Sequence, residues 1–242
     1  MSESADTEQM PALALLAGGL ATRLRPITAT IPKSIVMVAG KPFIAHQLHL
    51  LARQDITDVV VCTGYLGEQV ESYVGDGSKF GVRVRYSPDG AKPLGTGGAL
   101  RRALPMLGER FMVMYGDSYL RTSFRPVYEA FRASRRPALM TVYRNANKIE
   151  QSNVEFADGV IRTYDKVHRT DAMLHIDYGL GVLDASVLSA RPPDIAFDLA
   201  DLYQDLANRG LLAGYEVNER FYEIGSPAGL AETDAFLRMT KD

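Results

Sequence analysis

The stretch LLAGGLATRLRPITATIPKSIVMVAGKP, from Leu15 to Pro42, carries the strongest signal in the chain. An apolar run over 12–17 predicts a buried strand, and it leads directly into the paired glycines Gly18 and Gly19. Glycine lets a backbone approach a phosphate closely, and the N–H groups of such a loop can then point at the phosphate oxygens. The turn after this strand is therefore predicted to bind phosphate.

Basic and hydroxyl side chains follow the glycines. Thr22 and Arg23 come next in the loop, and Lys33 follows Pro32 directly. Arginine presents a planar fork of donors that matches phosphate oxygens, and lysine adds a compact positive charge. The combination predicts a polyphosphate ligand, above all a nucleoside triphosphate.

Two better-known phosphate loops do not fit this sequence. A Walker loop needs a glycine, four residues and then Gly-Lys followed by Ser or Thr, and no stretch of the chain has it. A dinucleotide fingerprint needs three spaced glycines, and the second glycine cluster, Gly95–Gly98, lacks the last of them. A Rossmann oxidoreductase and a P-loop ATPase are therefore poorly supported.

The composition fits one large α/β domain. With 242 residues, 46% of them hydrophobic, the chain is long enough for an extensive core. The formal net charge of −2 gives no sign of nucleic-acid binding, and Cys62, the single cysteine, excludes an internal disulfide. No apolar run reaches the length of a membrane span. We expect a cytoplasmic protein with a loose tail over residues 1–10, no membrane or nucleic-acid partner, and an oligomeric state that the sequence leaves open, a homo-oligomer included.

Strand and helix patterns alternate through the first part of the chain. Strands are predicted at 12–17, 58–63, 82–86, 111–115 and 137–143, and helices at 43–53, 66–73, 97–106 and 125–134. Such alternation predicts an α/β fold in which helices flank a mostly parallel sheet. Ligands of such sheets bind at the carboxyl ends of the strands.

The pattern changes after Arg144. Short strands are predicted at 152–165 and 173–184, followed by a helix at 197–209, a strand at 212–217 and a last helix from Pro227. Since no linker divides the chain, we expect one domain over 11–242, with a nucleotide-binding half at 11–144 and a β-rich half at 145–242 for the other substrate.

Two aspartates are notable for their positions. Asp117 follows the predicted strand 111–115, where a carboxylate usually serves a cation, although an Asx turn or a helix cap would also place it there. Asp89 precedes the Gly95 turn. A plain surface turn is the simplest reason for an aspartate at this position.

In order and spacing, the first stretch resembles the signature of the sugar-1-phosphate nucleotidyltransferases, GGxGTRLxPxTxxxPKxxxxVxxKP. The segment Gly18–Pro42 matches it with one departure, Ala21, where the family has glycine. Further similarity extends over nearly the whole chain, from about 12 to 237. The resemblance implies a Rossmann-like, GT-A-like fold and an enzyme that joins a nucleoside triphosphate to a sugar 1-phosphate with release of pyrophosphate.

The resemblance also implies roles on the nucleotide side. Arg23 would bind the β- and γ-phosphates, and Lys33 would neutralise charge at the α-phosphate and the attacking oxygen, because phosphoryl transfer depends on positioning and charge stabilisation. The PLGTGGAL turn would lie against the base. Asp89 would then lie at the base edge, where its carboxylate would accept from N1–H and the exocyclic amine of guanine, which uracil and thymine do not offer together. The residues expected at the nucleotide are Leu16, Ala17, Gly18, Gly19, Thr22, Asp89, Gly95, Thr96 and Gly97.

Magnesium is the cofactor that the resemblance implies. Asp117, in the YGDSYL segment, matches the aspartate that the family places on Mg²⁺. The late segment FYEIGSP resembles the one that supplies a second ligand, but its residue is Glu223, one methylene longer than the usual aspartate. We expect Asp117 and Glu223 to hold Mg²⁺. A pairing of Glu223 with Arg23 or Lys33, or a surface position, stays open.

Three short segments, SNVEF, YDKVH and HIDYGLGVL, resemble the family's sugar-binding segments. Lys166 matches the lysine that binds the sugar phosphate and is the third residue expected to be catalytic, beside Arg23 and Lys33. Each segment alone would also suit an ordinary strand or turn. The residues expected at the sugar are Tyr115, Asn153, Asp165, Asp177, Tyr178 and Gly179.

Within the family, PLGTGGAL and IDYGLGVL look most like the bacterial guanylyltransferases that act on D-glycero-D-manno-heptose 1-phosphate for capsule or other surface polysaccharides. This resemblance favours GTP as the nucleotide. Uridylyl-, thymidylyl- and cytidylyltransferases for glucose or N-acetylmuramate 1-phosphate are alternatives. A non-catalytic regulatory subunit that binds a nucleotide without releasing pyrophosphate is an alternative of another class.

Overall fold

The computed structural model describes residues 9–19, 22–148 and 151–240, so residues 1–8 of the expected tail and Ala21 of the glycine-rich loop lie outside it. The strands are β1 (Leu13–Leu16), β2 (Met37–Val38), β3 (Lys41–Pro42), β4 (Asp58–Thr63), β5 (Arg83–Pro88), β6 (Arg110–Tyr115), β7 (Ser118–Tyr119), β8 (Ala138–Arg144), β9 (Val154–Ala157), β10 (Val160–Tyr164), β11 (His175–Asp184), β12 (Leu212–Val217) and β13 (Tyr222–Glu223). The α-helices are α1 (Phe43–Arg53), α2 (Gly67–Val74), α3 (Gly95–Leu107), α4 (Phe124–Ser134), α5 (Ser186–Ser189), α6 (Leu199–Asn208) and α7 (Pro227–Met239). Short 3-10 helices lie at Thr22–Leu24, Ile27–Ala29, Lys33–Ile35 and Ser78–Phe80.

Within the described ranges, nine strands form one sheet in the order β5-β4-β1-β6-β11-β8-β12-β10-β9. The first four of these strands are mutually parallel, which confirms the α/β fold predicted from the alternating pattern. Strand β11 then inserts antiparallel between β6 and β8, β12 runs parallel to β8, and the β9–β10 hairpin closes the edge. One sheet therefore runs through both halves of the chain.

The periodic elements lie where the sequence predicts them. Helix α1 and strand β4 agree with their predicted bounds residue for residue, and the long segment predicted at 152–165 is the β9–β10 hairpin. The elements that were not predicted are very short: the two-residue strands β2, β3, β7 and β13, and the four-residue α5. Elements of this length are too short to show a periodicity that a sequence pattern could reveal. Of the helices described, none combines the length and apolar character needed to cross a bilayer.

Hydrophobic side chains fill both faces of the sheet. Leu13 and Leu15 of β1 pack into the cluster that contains α1, whereas Ala14 belongs to the cluster on the other face. Because successive side chains of a strand point to opposite faces, a strand covered on both sides is a continuous apolar run. Cys62 of β4 lies in the second cluster, and burial raises the pKa of its thiol to about 12. The thiol is therefore protonated at neutral pH and is a packing group.

Three loops meet at the carboxyl ends of β1, β4 and β6 through glycines. A Cβ on Gly64, which follows β4, would lie 2.6 Å from the carbonyl oxygen of Gly18. A Cβ on Gly116, which follows β6, would overlap the carbonyl oxygen of Leu16. The loops therefore touch through their backbones, which only glycine allows at these positions. This contact fixes the predicted phosphate loop at the strand ends.

Replacing Gly64 by alanine is expected to push the Gly18 loop away from β4, because the new Cβ would meet backbone atoms and not a movable side chain. We expect the free energy of unfolding, measured by urea denaturation, to fall by about 1–3 kcal/mol. Gly19→Ala is the matched control, because a Cβ there meets nothing within 4 Å. Equal stability of the two variants would contradict the tight loop contact.

Candidate active site

Two adjoining cavities open at the carboxyl ends of the parallel strands. The first cavity has a volume of about 250 Å³ and lies between the loops after β1, β5 and β6 and the start of α3. Its lining is largely apolar, with few polar groups, as is usual for a site that binds a flat ring system. The residues expected at the nucleotide that line it are Leu16, Ala17, Gly18, Gly19, Asp89, Gly95 and Thr96.

The second cavity is wider and more polar, with a volume of about 780 Å³. The expected site residues found only in its lining are Thr22, Arg23, Asn153, Lys166, Asp177, Tyr178, Gly179 and Glu223. Lys33, Tyr115 and Asp117 line both cavities. These three residues mark the junction, and a ligand that spans the two cavities would contact them.

Lys33 and Asp117 form an ion pair at this junction. Lys33 begins a 3-10 helix directly after Pro32, and its Nζ donates to Oδ2 of Asp117 at 2.7 Å. The two side chains are 20% and 32% exposed, so the pair faces the cavities and not the core. An ammonium group held in this way presents its remaining N–H donors to an anionic ligand.

The loop that carries Asp117 is fixed from below by α1. The buried side chain of Gln47 donates through Nε2 to the carbonyl of Tyr115 at 3.1 Å and to that of Ser118 at 2.8 Å. The two carbonyls flank Asp117 on either side. This support was not predicted, because a glutamine in an apolar helix has no recognisable sequence pattern.

The second carboxylate, Glu223, lies beside Asp117, because β13 pairs with β7 and places Glu223 opposite Ser118. A Cβ on Gly225 would lie 2.8 Å from Oε2 of Glu223 and 3.2 Å from Oδ2 of Asp117. The absent side chain thus leaves a space bordered by both carboxylates. Within the described residues, no cluster of three or more Asp, Glu, His or Cys that would hold a metal is present. Two hard oxygen ligands with open positions fit Mg²⁺, which takes its other ligands from phosphates and water.

Asp89 reaches the first cavity with an unpartnered oxygen. Its residue is 8% exposed, and Oδ2 accepts the N–H of Leu94 at 3.1 Å. The other oxygen, Oδ1, is buried and has no hydrogen-bond partner among the residues that the structure describes. Burial raises the pKa of this carboxyl above its ordinary value, against the lowering effect of the Leu94 N–H. A buried acceptor without a partner is costly, and a ligand donor would relieve that cost.

Ser34 lies beside Lys33 in the first cavity and was not predicted. Its hydroxyl is buried and, as far as the described residues go, has no hydrogen-bond partner. Like Asp89, it offers an unsatisfied polar atom to a ligand. A serine next to the lysine of the Pro-Lys pair is the only sign of it in the sequence.

The glycines at the start of α3 pack against the chain before α6. A Cβ on Gly97 would overlap the ring of Phe197, and one on Gly95, at φ +71°, would lie 2.6 Å from the Phe197 carbonyl oxygen. Gly97 lines neither cavity, and its N–H donates to that carbonyl at 3.0 Å. Gly97 therefore packs against Phe197, and its contact with the base stays a prediction. Thr96 does line the first cavity, but its hydroxyl donates to Asp198, the N-cap of α6, at 2.9 Å.

Asp177 of β11 links Tyr115, which lines both cavities, to Gly179. Its Oδ2 accepts from the hydroxyl of Tyr115 at 3.0 Å, and its Oδ1 accepts the N–H of Gly179 at 2.9 Å. Burial, reinforced by Asp177, raises the pKa of Tyr115 well above its ordinary value. Tyr115 therefore stays a neutral donor. The pairing of β11 is irregular between Asp177 and Gly181, and Gly179, which has φ +98°, lines the second cavity there.

Two residues expected to contact the sugar also have structural partners. Tyr178 is fully buried, its hydroxyl accepts the N–H of Arg121 at 3.1 Å, and its ring stands edge-on to Phe221, so it forms the cavity wall. Asp165 lines neither cavity. Its carboxylate accepts from the N–H groups of Val167 and His168 at 2.7 and 2.9 Å, which lowers its pKa. Asp165 thus shapes the turn that carries Lys166, because a short carboxylate readily caps its own turn.

The far end of the second cavity carries cations and an unpartnered amide oxygen. Lys166 is exposed there, and Arg169, which was not predicted, lines the same cavity and donates to Gln151. Oδ1 of Asn153 is buried and, among the described residues, without a hydrogen-bond partner. The second cavity therefore combines positive charge with an unsatisfied polar group, a combination that suits a polar anion.

Comparison with known proteins agrees with this geometry. A match to the Nucleotidyl transferase family covers residues 13–228. The N-acetylmuramate alpha-1-phosphate uridylyltransferase of Neisseria meningitidis serogroup B is 40% identical over 116 residues, which are 48% of this chain and 50% of that protein. The match covers 35% of a Streptomyces antibioticus glucose-1-phosphate thymidylyltransferase and 61% of a Xenopus laevis mannose-1-phosphate guanyltransferase. The chain therefore spans only part of the length of these curated relatives.

Solved structures share the fold over nearly the whole chain. A Bacillus anthracis protein considered a glucose-1-phosphate thymidylyltransferase, solved with sucrose, superposes with a TM-score of 0.82 at 25% identity, covering 95% of each chain. HddC from Yersinia pseudotuberculosis, solved with GMP-PN, has a TM-score of 0.79 at 21% identity over 94% of this chain and 100% of that one, and at this identity it shows the fold alone. Since the family match extends over most of a chain whose glycine-rich loop, lysine and aspartate converge on one junction, this protein belongs to the Nucleotidyl transferase family.

Proposed function

We propose that this protein transfers a nucleotidyl group from a nucleoside triphosphate to a sugar 1-phosphate and releases pyrophosphate. The observation that carries the proposal is the junction itself. Lys33 and Asp117 line both cavities, so a nucleotide in the first cavity and a sugar phosphate in the second would meet beside them. The names of the relatives in the family support the same reaction class.

The chemistry needs no nucleophilic side chain. An oxygen of the sugar phosphate attacks the α-phosphorus of the triphosphate, a new P–O bond forms, and the bond to the β-phosphate breaks with the electron pair leaving on pyrophosphate. Lys33 stabilises the charge that builds up at the α-phosphate, and Arg23 with the Gly18 loop holds the departing phosphates. Lys166 holds the sugar phosphate in line for attack. Arg169 lines the same cavity and adds a second cation.

Magnesium is the proposed cofactor, with Asp117 and Glu223 as its protein ligands. When bound, it would neutralise phosphate charge at the junction and help to orient the two phosphates. Lys33 donates to Oδ2 of Asp117, the same oxygen that borders the space at Gly225. The fit rests on the space at Gly225 that both carboxylates border.

Guanine is the base, and D-glycero-D-manno-heptose 1-phosphate the sugar, that we propose for this site. The unpartnered oxygen of Asp89 supports guanine, because a carboxylate accepts from N1–H and the exocyclic amine together. The heptose rests on the sequence resemblance of PLGTGGAL and IDYGLGVL alone. Synthesis of a surface polysaccharide is the pathway that these substrates imply.

Uridylyl or thymidylyl transfer to N-acetylmuramate or glucose 1-phosphate is the second candidate. It is favoured by the names of the Neisseria and Bacillus relatives. A non-catalytic regulatory subunit is disfavoured, because such a subunit is expected to lose its phosphate and metal residues, whereas Arg23, Lys33 and Asp117 are all present and line the second cavity.

The reaction is tested by pyrophosphate release with Mg²⁺, pairing GTP, ATP, CTP, UTP and dTTP with the 1-phosphates of manno-heptose, glucose and N-acetylmuramate. We expect release with GTP and the heptose. Release with another pair would keep the reaction and overturn the substrates. No release with any pair, while a nucleotide still binds, would overturn the reaction in favour of the regulatory subunit.

Lys33→Ala should lower kcat by about a hundredfold or more, because the variant loses a cation that acts on the charge of the transition state. The fold should be retained, as judged by the urea midpoint, since Lys33 is not part of the core. Lys79→Ala is the matched control, because Lys79 is exposed and lines neither cavity. Near-normal turnover of Lys33→Ala would remove Lys33 from the mechanism.

Asp89→Asn should lower kcat/KM for GTP by about tenfold or more, because the amide that replaces one carboxylate oxygen presents a donor to the donors of guanine. In the native protein, protonation of Asp89 at low pH should increase KM for GTP, because a protonated carboxyl is a poorer acceptor. Since the pKa of Asp89 is raised, this increase should begin at a higher pH than for an ordinary aspartate. The variant should lack this pH dependence. Unchanged base selectivity and an unchanged pH profile would show that Asp89 does not read the base.

A further inference from the structure

We propose that Gly229 is a positioning residue for the second carboxylate of the cation site, because its missing side chain makes room for a glutamate where an aspartate would need none. The inference rests on the proposed function, in which Asp117 and Glu223 hold Mg²⁺. It assigns a role to a helix residue that lines neither cavity.

Glu223 folds back against the first turn of α7. Its Oε1 accepts from the hydroxyl of Ser226 at 2.6 Å, and its Oε2 accepts the N–H of Gly225. Ser226 is the N-cap of α7, and its Oγ accepts the N–H of Gly229 at 3.0 Å. A continuous chain of hydrogen bonds therefore runs from the backbone of Gly229 through Ser226 to the carboxylate.

The glutamate occupies the volume that a side chain at 229 would need. A Cβ on Gly229 would overlap Oε1 of Glu223 and would lie 2.8 Å from the Glu223 backbone oxygen. The backbone of Gly229 is helical, so no left-handed conformation explains the glycine. Since Gly229 has a helical backbone that alanine would also adopt, its lack of a side chain calls for a steric reason. The carboxylate of Glu223 supplies it.

This packing determines where the second oxygen of Glu223 points. With Oε1 held over Gly229 and Ser226, Oε2 is turned towards the space that Oδ2 of Asp117 also borders. A side chain at 229 would force the carboxylate to rotate out of that arrangement. An aspartate at 223, one methylene shorter, would not reach the volume above Gly229. The identity of residue 229 should therefore matter more while residue 223 is a glutamate, because the contact with the backbone oxygen of residue 223 is present in either case.

The test is a double-mutant cycle of the wild type, Gly229→Ala, Glu223→Asp and the double variant, with Mn²⁺ alone as the probe. Bound Mn²⁺ is measured by the loss of its free electron paramagnetic resonance signal. We expect Gly229→Ala to weaken Mn²⁺ binding by about tenfold or more in the wild-type background, as is typical for groups that orient metal ligands. In the Glu223→Asp background the same change should cost less than about threefold, because only the contact with the backbone oxygen remains.

Urea unfolding of the metal-free proteins gives a second reading of the same cycle. The midpoint should fall more for Gly229→Ala beside Glu223 than in the Glu223→Asp background. Equal losses of Mn²⁺ affinity in both backgrounds, or no loss in either, would overturn the assignment while leaving pyrophosphate release by the wild type intact. Mn²⁺ binding that is indifferent to Asp117→Asn would overturn the cation site of the proposed function and this assignment together.

Discussion

The close approach of three backbone loops is the constraint on which the rest of the site depends. Parallel pairing of β1 with β4 and β6 brings their carboxyl ends to one edge, and glycine at 18, 64 and 116 lets the loops touch there. A single Cβ at Gly64 or Gly116 would separate them. Because the loops cannot move apart independently, the phosphate loop and Asp117 are held in a fixed relation.

The charged and polar groups at the junction have partners within the site. Lys33 pairs with Asp117, and Asp177 accepts from Tyr115, so the groups that would face phosphate are already oriented by partners. Such pre-orientation reduces the reorganisation needed when a ligand arrives. Glu223 follows the same rule on the other side, where it is held by Ser226 and Gly225.

Unsatisfied polar atoms mark the places that a ligand would complete. Asp89 and Ser34 in the first cavity, and Asn153 in the second, each keep a buried side-chain oxygen without a partner among the described residues. Since buried polar groups are nearly always hydrogen-bonded in folded proteins, these exceptions point to ligand contacts. Their placement on both sides of Lys33 agrees with a ligand pair that meets at the junction.

The order of the amino acids was enough to predict the α/β class, the long elements and most of the residues around the two cavities. Hydrophobic periodicity predicts the long helices and strands, and the order of glycine, arginine and lysine predicts a phosphate loop. Both patterns lie within short segments of the chain, so they are visible in the sequence. The Asp117 and Glu223 pair also came from short segments, through resemblance. The tertiary structure is needed to see that Asp165 and Tyr178 accept backbone N–H groups, that Gly97 packs on Phe197, and that Gln47 supports the loop of Asp117. These contacts join residues that are far apart in the chain, or depend on the direction in which a side chain points. Neither can be predicted from the spacing of residues within a short segment.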